Sequence, residues 1–241
     1  MKKKGIFHWV SLILYAIGVL VGVAVSGATL WGDIEASVFD SSIIGDSKIR
    51  LNCPVIITKD EIGKISATLK NPEDREKSFF VRAHISDGYV SLIREVNQQI
   101  SVPPGAKTHL EWEVFPEDRA YNRIILFRAL VSPSYPIPSQ GNSCGVLVMD
   151  IPFLTGTQFY VLLLVLGLVC IFEGILIWNK INRPMKDDMR SLTNGMYALA
   201  IFVYATVLAS FWGFWILGVI LFAASLLLIG IIFGRYYGAS L

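Results

Sequence analysis

GMYALAIFVYATVLASFWGFWILGVILFAASLLLIGIIF, residues 195–233, runs for 39 residues without one Asp, Glu, Lys or Arg. A helix needs about 20 residues to cross the ~30 Å hydrocarbon layer of a bilayer. The stretch is therefore long enough for two crossings, with a turn near Ser210–Phe214, where Gly213 sits among Trp212 and Trp215. Two more runs share its character. Ile6–Trp31 carries no charged residue, and Phe159–Trp178 is broken only by Glu173. Composition agrees: 54% of the 241 residues are hydrophobic and 17% are charged, against roughly 25% charged in a soluble domain. That excludes a disordered chain and argues against a water-soluble enzyme.

The formal net charge of +2 conceals a segregation. Residues 32–154 hold 13 Lys/Arg and 16 Asp/Glu, whereas the flanks hold Lys2, Lys3, Lys4, Lys180, Arg183, Lys186, Arg190 and Arg235. Basic residues beside membrane spans stay cytoplasmic. One orientation places all eight on that side, and its inverse places all eight outside. Trp9, Trp31, Trp178, Trp212, Trp215, Tyr236 and Tyr237 fall at predicted helix ends, where the membrane interface favours aromatic rings. The reading is an integral protein of the plasma (cytoplasmic) membrane with four transmembrane helices and both termini cytoplasmic. Its segments are a cytoplasmic N-terminus (1–5), helices over 6–31, 155–178, 195–212 and 213–234, an extracytoplasmic domain (32–154), a basic cytoplasmic loop (179–194) and a cytoplasmic C-terminus (235–241). Lys2–Lys4 followed by an apolar run and Ser26-Gly27-Ala28 also suits a cleaved signal peptide, but the run exceeds the usual 7–15-residue apolar core. Either way residues 32–154 are exported.

Within the exported segment a period of two marks half-buried strands. Ile65, Ala67 and Leu69 alternate with polar neighbours, as do Leu110, Trp112 and Val114; Phe79, Val81, Ala83 and Ile85 form a third set. Arg50–Thr58, Tyr89–Val96, Arg123–Val131 and Cys144–Ile151 are further candidates. Asn71-Pro72, Asp87-Gly88, Pro103-Pro104-Gly105 and Pro116-Glu117-Asp118 separate them as turns. About seven short strands at this spacing predict an antiparallel β-sandwich. Leu69-Lys-Asn-Pro72, an alternating strand, then Pro103-Pro-Gly105 and Leu110-Glu-Trp-Glu-Val114 resemble the immunoglobulin-like CARDB-type modules of bacterial exported proteins, over about a quarter of the chain. Asp118-Arg-Ala-Tyr121 resembles the immunoglobulin corner whose Tyr hydroxyl bonds back to the backbone, without the Cys that follows there. The resemblance implies binding or spacing and no catalytic residues.

Cys53 and Cys144 are the exported cysteines, each at a strand start near one end of the domain. A disulfide is permitted in that compartment, so they are the disulfide candidates, while Cys170 in the second helix is a small packed hydrophobe. His84, His109, Cys144 and Met149 are the residue types of a blue-copper centre, yet no His follows Cys144, and CxxC, HExxH and CxxCH are absent. His84-Ile-Ser-Asp87 lacks a GxSxG elbow and reads as a hairpin turn. No catalytic, cofactor-binding or metal residues are assigned, and no phosphate loop or nucleic-acid footprint is found.

Other residues point to membrane and partner contacts. Glu173 is the one acid inside a span, and intramembrane ionisable groups are functional candidates. Gly18, Gly22 and Ser26 recur every four residues, a spacing that lets helices approach closely. The loop around Tyr135, Pro136 and Pro138 is a candidate partner contact. The expectation is a non-enzymatic multi-pass membrane protein that displays its sandwich for binding or assembly, or as the accessory subunit of a membrane complex. Its partners are lipid and other membrane subunits. The alternative is a small transporter or channel subunit with Glu173 in its pathway.

Overall fold

The computed structural model describes residues 2–40, 45, 47–133, 138–184, 187–212 and 214–238. The elements run α1 (Lys2–Val38), β1 (Ser47–Lys48), β2 (Leu51–Asn52), β3 (Ile56–Thr58), β4 (Gly63–Lys70), β5 (Lys77–Asp87), β6 (Tyr89–Val102), β7 (Lys107–Val114), a 3-10 turn (Pro116–Asp118), β8 (Ile124–Pro133), β9 (Gln140–Met149), α2 (Gly156–Ile181), α3 (Asp187–Phe211) and α4 (Trp215–Gly238). The chain divides into a helical unit, residues up to Leu30 and from Val161 onward, and a β unit, Trp31–Tyr160.

Two sheets build the β unit. One has six strands in the order β1-β9-β8-β5-β6, with β3 also on β9; the other is β2-β4-β7. Their inner faces share one core. Ile65, Ala67 and Leu69 of β4 and Leu110, Trp112 and Val114 of β7 meet Phe79, Val81 and Ile85 of β5 and Ile125, Phe127 and Val131 of β8. Across the sheets the rings of Trp112 and Phe127 lie 5.3 Å apart between centroids. This is a β-sandwich, and the alternation in the sequence marks its inner faces.

The expected fold class is nevertheless corrected. Helices at the two ends of the chain flank a central β region that is not wholly antiparallel. β1 and β3 both pair with β9 in parallel, Ser47 opposite Gln140 and Ile56 opposite Leu147. A parallel pair needs a long crossover, and here nearly the whole domain forms it. Side-chain alternation reports which face is buried, not which way the neighbouring strand runs. The candidate strand Arg50–Thr58 also divides at Cys53-Pro54. Proline has no N–H for a ladder, so β2 joins β4 in one sheet and β3 joins β9 in the other.

α1 runs past Trp31 to Val38, and its end belongs to the β unit. There Ala36 and Phe39 pack on Ala120, Ile124 and Leu126 in a second small core. β8 is thus buried on both faces, which explains its unbroken apolar run Ile124–Phe127. Cys53 and Cys144 are joined in a disulfide, their Cα atoms 6.6 Å apart.

The helical unit draws on four helices that, among the described residues, are long and apolar enough to cross a membrane: Ile6–Val38, Gly156–Ile181, Met189–Phe211 and Trp215–Gly234. Tyr15 and Val19 of α1, Ile171, Ile175 and Trp178 of α2, and Met196, Leu199 and Val203 of α3 form its core. Outside that core the surface stays apolar: Leu20, Val169, Phe172, Ile201 and Leu227 are all exposed.

Loss of the disulfide releases a 91-residue sequence separation in the unfolded chain. Replacing both Cys53 and Cys144 by Ser is expected to cost about 2–5 kcal/mol, a fall of roughly 10–20 °C in the thermal midpoint of the β unit, measured by calorimetry of the full chain in detergent. A shift below a few degrees would show that the crosslink constrains little.

Candidate functional site

Two local irregularities converge at one end of the sandwich. The first lies where β5 turns into β6. The ladder runs regularly from Lys77 opposite Val102 to Ser86 opposite Ile93, and then Asp87 pairs with Tyr89. Val90, Ser91 and Leu92 are therefore extruded as a bulge. Bulges bend a strand and re-aim its side chains. Gly88, at φ +71°, makes the turn possible, and Tyr89 stands 70% exposed beside it.

The second irregularity follows the 3-10 turn. Asp118 is buried there, and its carboxylate accepts the Phe115 N–H at 2.8 Å and the Arg94 Nε–H at 3.1 Å. The Asp118 carbonyl accepts the Ser86 hydroxyl at 2.7 Å, and Ser86 Oγ in turn accepts the Leu126 N–H at 2.9 Å. One carboxylate and one hydroxyl thus tie the turn to β5, β6 and β8. On this base Tyr121 and Asn122 both adopt left-handed backbone, at φ 51° and 58°. They are the central residues of a tight turn closed by the Arg123 N–H, which donates to the Ala120 carbonyl at 3.1 Å, and Arg119 braces it, donating to Asn122 Oδ1 at 2.7 Å and to the Pro116 carbonyl at 2.8 Å. The left-handed conformation costs a non-glycine residue about 1–2 kcal/mol. Tyr121 bears that cost while 59% exposed. Strain held in place by surrounding bonds is a recurrent mark of functional positions.

Between Gly88–Ser91 and Glu117–Asn122 lies an open groove of about 910 Å³. Its walls offer the Tyr89 and Tyr121 rings, the Ser91 hydroxyl, the Asn122 amide and the opposite charges of Glu117 and Arg119. Aromatic rings with polar handles suit recognition of a ligand or a protein surface.

A second cluster lies where α1 gives way to the sheet. Asp40 follows α1 in left-handed backbone, φ 42°, and its carboxylate meets His84 Nδ1. Arg128 donates to the Phe39 carbonyl and, at 2.9 Å, to the Asp40 carbonyl. Glu95 lies 3.5 Å from His84 Nε2 and 3.2 Å from Arg82 Nε. The Asn97 amide, with His84 and Arg82 behind it, holds the Glu95 carboxyl below the usual carboxylate range. Burial lowers the Arg128 guanidinium from its ordinary value, and the Asp40 charge works against that shift. These contacts clasp the end of α1 to β5 and β8.

The residues singled out from the sequence fall elsewhere. Gly18 faces α2, where a Cβ would stand 2.6 Å from Ile171 Cγ1, and Gly22 faces α3, where one would stand 2.5 Å from Val203 Cγ1. Ser26 is buried and donates to the Gly22 carbonyl at 2.7 Å. Glu173 is exposed on the outer surface of the helical unit, away from its core. Tyr135 and Pro136 lie outside the described residues; Pro138 is exposed ahead of β9. His84 and His109 belong to different sheets, and no group of three His, Cys, Asp or Glu able to hold a metal occurs among the described residues. Tyr121, likened to the immunoglobulin corner tyrosine, is 59% exposed. The groove itself was not anticipated. Its two turns were legible as turns, but their convergence depends on the strand bulge and on sheet stacking.

No protein-family model matches the chain, and no curated protein matches it. Solved structures similar to it include the CARDB domain of a Pyrococcus furiosus protein in complex with di-metal ions, at 15% identity and a TM-score of 0.34, covering 44% of this chain and 89% of that one. The Pseudomonas fluorescens alkylpurine DNA glycosylase bound to DNA with an abasic-site analog is similar at 15% identity and TM-score 0.33, covering 43% of this chain and 31% of its own. A Paenibacillus cycloisomaltooligosaccharide glucanotransferase complexed with cycloisomaltoheptaose matches at 9% identity and TM-score 0.34, covering 45% and 15%. Scores at this level assign neither activity nor ligand.

If Tyr121 is kept for display and not for folding, Tyr121→Gly relieves the left-handed strain and leaves stability unchanged or raised by up to about 1 kcal/mol. A clear fall in the thermal midpoint would refute this. Asp118→Ala, which strands Arg94 and the Phe115 N–H, is expected to cost about 2–3 kcal/mol, read by the same melt.

Proposed function

We propose that the helical unit resides in a membrane and that the chain is a non-enzymatic binding or assembly subunit, engaging its partner through the rim groove of the sandwich. The placement is supported by the apolar exterior of the helices: a bundle made for water keeps its outward stripe polar, and here Leu20, Ile201 and Leu227 are exposed. The basic residues Lys2–Lys4, Lys180–Arg190 and Arg235 give the orientation. They are retained in the cytoplasm, with the β unit on the opposite side. The observation that carries the binding role is the exposed Tyr121, held in left-handed backbone, which lines the groove together with Tyr89. The tight turn closed by the Arg123 N–H on the Ala120 carbonyl at 3.1 Å calls for left-handed backbone at both central residues, a demand that Gly or Asn meets most cheaply, and Tyr121 meets it with a large exposed ring. Glu173 lies on the outer surface of the helical unit and lends no support to a pathway through it.

Site-specific photo-crosslinking in native membranes tests the proposal. A benzophenone side chain in place of Tyr121 is expected to give a discrete adduct, and the same group at exposed Lys64, on the other sheet, none. Adding Tyr89→Ala is expected to reduce the Tyr121 adduct at least several-fold. Identical labelling patterns from Tyr121 and Lys64 would sink the groove as the contact.

A further inference from the structure

We infer that β6 is a self-association edge, along which a second copy of this chain adds its own β6 to form one continuous sheet. β6 is the last strand of the six-stranded sheet, and among the described residues it pairs with β5 alone. Its regular part, Ile93–Val102, is ten residues long, where strands usually have about five or six. Natural proteins block such an edge with lysine, proline or a bulge. Residues 93–102 contain neither lysine nor proline, and the bulge stops at Leu92. The two charges are held from within the same domain: Arg94 by Asp118 and Glu95 by Arg82.

The core also runs out at this edge. Val96 and Ile100 pack against it but are only partly buried, because a three-stranded sheet faces a six-stranded one. A further strand beside β6 would complete their cover.

The sequence of β6 identifies the occupant. Place two copies antiparallel about a twofold axis through Gln98. Val96 then faces Ile100 of the other copy, Asn97 faces Gln99, Glu95 faces Ser101 and Arg94 faces Val102. On the inner face Val96 and Ile100 meet on either side of Gln98, with Arg94 beside Val102 at the ends, and on the outer face Glu95, Asn97, Gln99 and Ser101 meet. No like charges are opposed, which would destabilise the pairing. An isologous contact of this kind closes at two copies and leaves no further edge on that side.

The test uses the full chain in native membranes, with Cys170→Ala to remove the free thiol. Residues directly opposite on antiparallel strands have Cβ atoms about 4.5–5.5 Å apart, so Gln98→Cys is expected to form a disulfide-linked dimer under mild oxidation. Yield should exceed that of Lys64→Cys on β4 at least tenfold. Asn97→Cys and Gln99→Cys should each crosslink poorly alone and strongly when combined in one chain. Gln98→Lys places a charge against its own counterpart and should turn a dimer into a monomer in native mass measurement, with no drop in thermal midpoint. Three results would overturn the inference: a monomer for the unmodified chain, a dimer whose Gln98→Cys yield only equals that of Lys64→Cys, or a Gln98→Cys adduct with a different protein.

Discussion

β8 must be buried twice, and most of the β unit follows from that constraint. Its inward residues Ile125, Phe127 and Val131 belong to the sandwich core, and its outward residues Ile124 and Leu126 require a second cover. The second sheet supplies the first; Ala36 and Phe39, at the end of α1, supply the second. A strand covered on both faces must be central, so β5 and β9 take its two edges. That leaves β6 outermost on one side and the short β1 and β3 on the other. At roughly 25 cal/mol per Å² of apolar surface, the two-sided burial of four consecutive large residues is among the largest local contributions in the domain. Where the outer apolar cover ends, polar chemistry takes over on the same strand, and Arg128 binds the Phe39 and Asp40 carbonyls.

The helical unit obeys a different constraint, because its outer surface is apolar and packing must come from close approach. Gly18 and Gly22 provide it on α1, where no Cβ fits against α2 or α3. Direct hydrogen bonds then join the helices: Ser11 Oγ donates to the Gly174 carbonyl at 2.8 Å, Tyr15 to the Met196 carbonyl at 2.9 Å, and Trp178 Nε1 to Thr193 Oγ1 at 2.9 Å. Small residues and interhelical hydrogen bonds are how helices associate when burial of apolar surface gives no advantage.

This difference explains what the sequence made legible. Long uncharged runs and strict alternation are local patterns, so the helices of 195–233 and the inner faces of β4, β5 and β7 were readable directly. Strand direction is not local. The parallel approach of β1 and β3 to β9 depends on which edge remains free after β8 and β5 have paired, and no residue within β3 signals it. The continuation of α1 to Val38 was hidden by Asp33 and Glu35, whose charges resemble the end of a span although both residues are compatible with a helix. The groove was least legible of all. Tyr89 and Tyr121 are 32 positions apart, and their convergence requires an extruded bulge on one strand and two left-handed residues after a 3-10 turn.

The placement of that groove is itself informative. Asp118, Ser86 and Arg94 form a satisfied polar network at one end of the sandwich. Such a network rigidifies only when every member is paired, and here its rigidity serves a loop that contributes little to the core: Tyr121 and Asn122 are both exposed. The tight turn from Ala120 to Arg123 imposes the left-handed backbone, so what calls for explanation is the choice of an exposed tyrosine where glycine or asparagine costs least. The proposed recognition therefore sits at the exposed aromatic groove beside this network, and not at the clasp of Asp40, His84 and Arg128, whose groups are occupied in joining the end of α1 to the sheet.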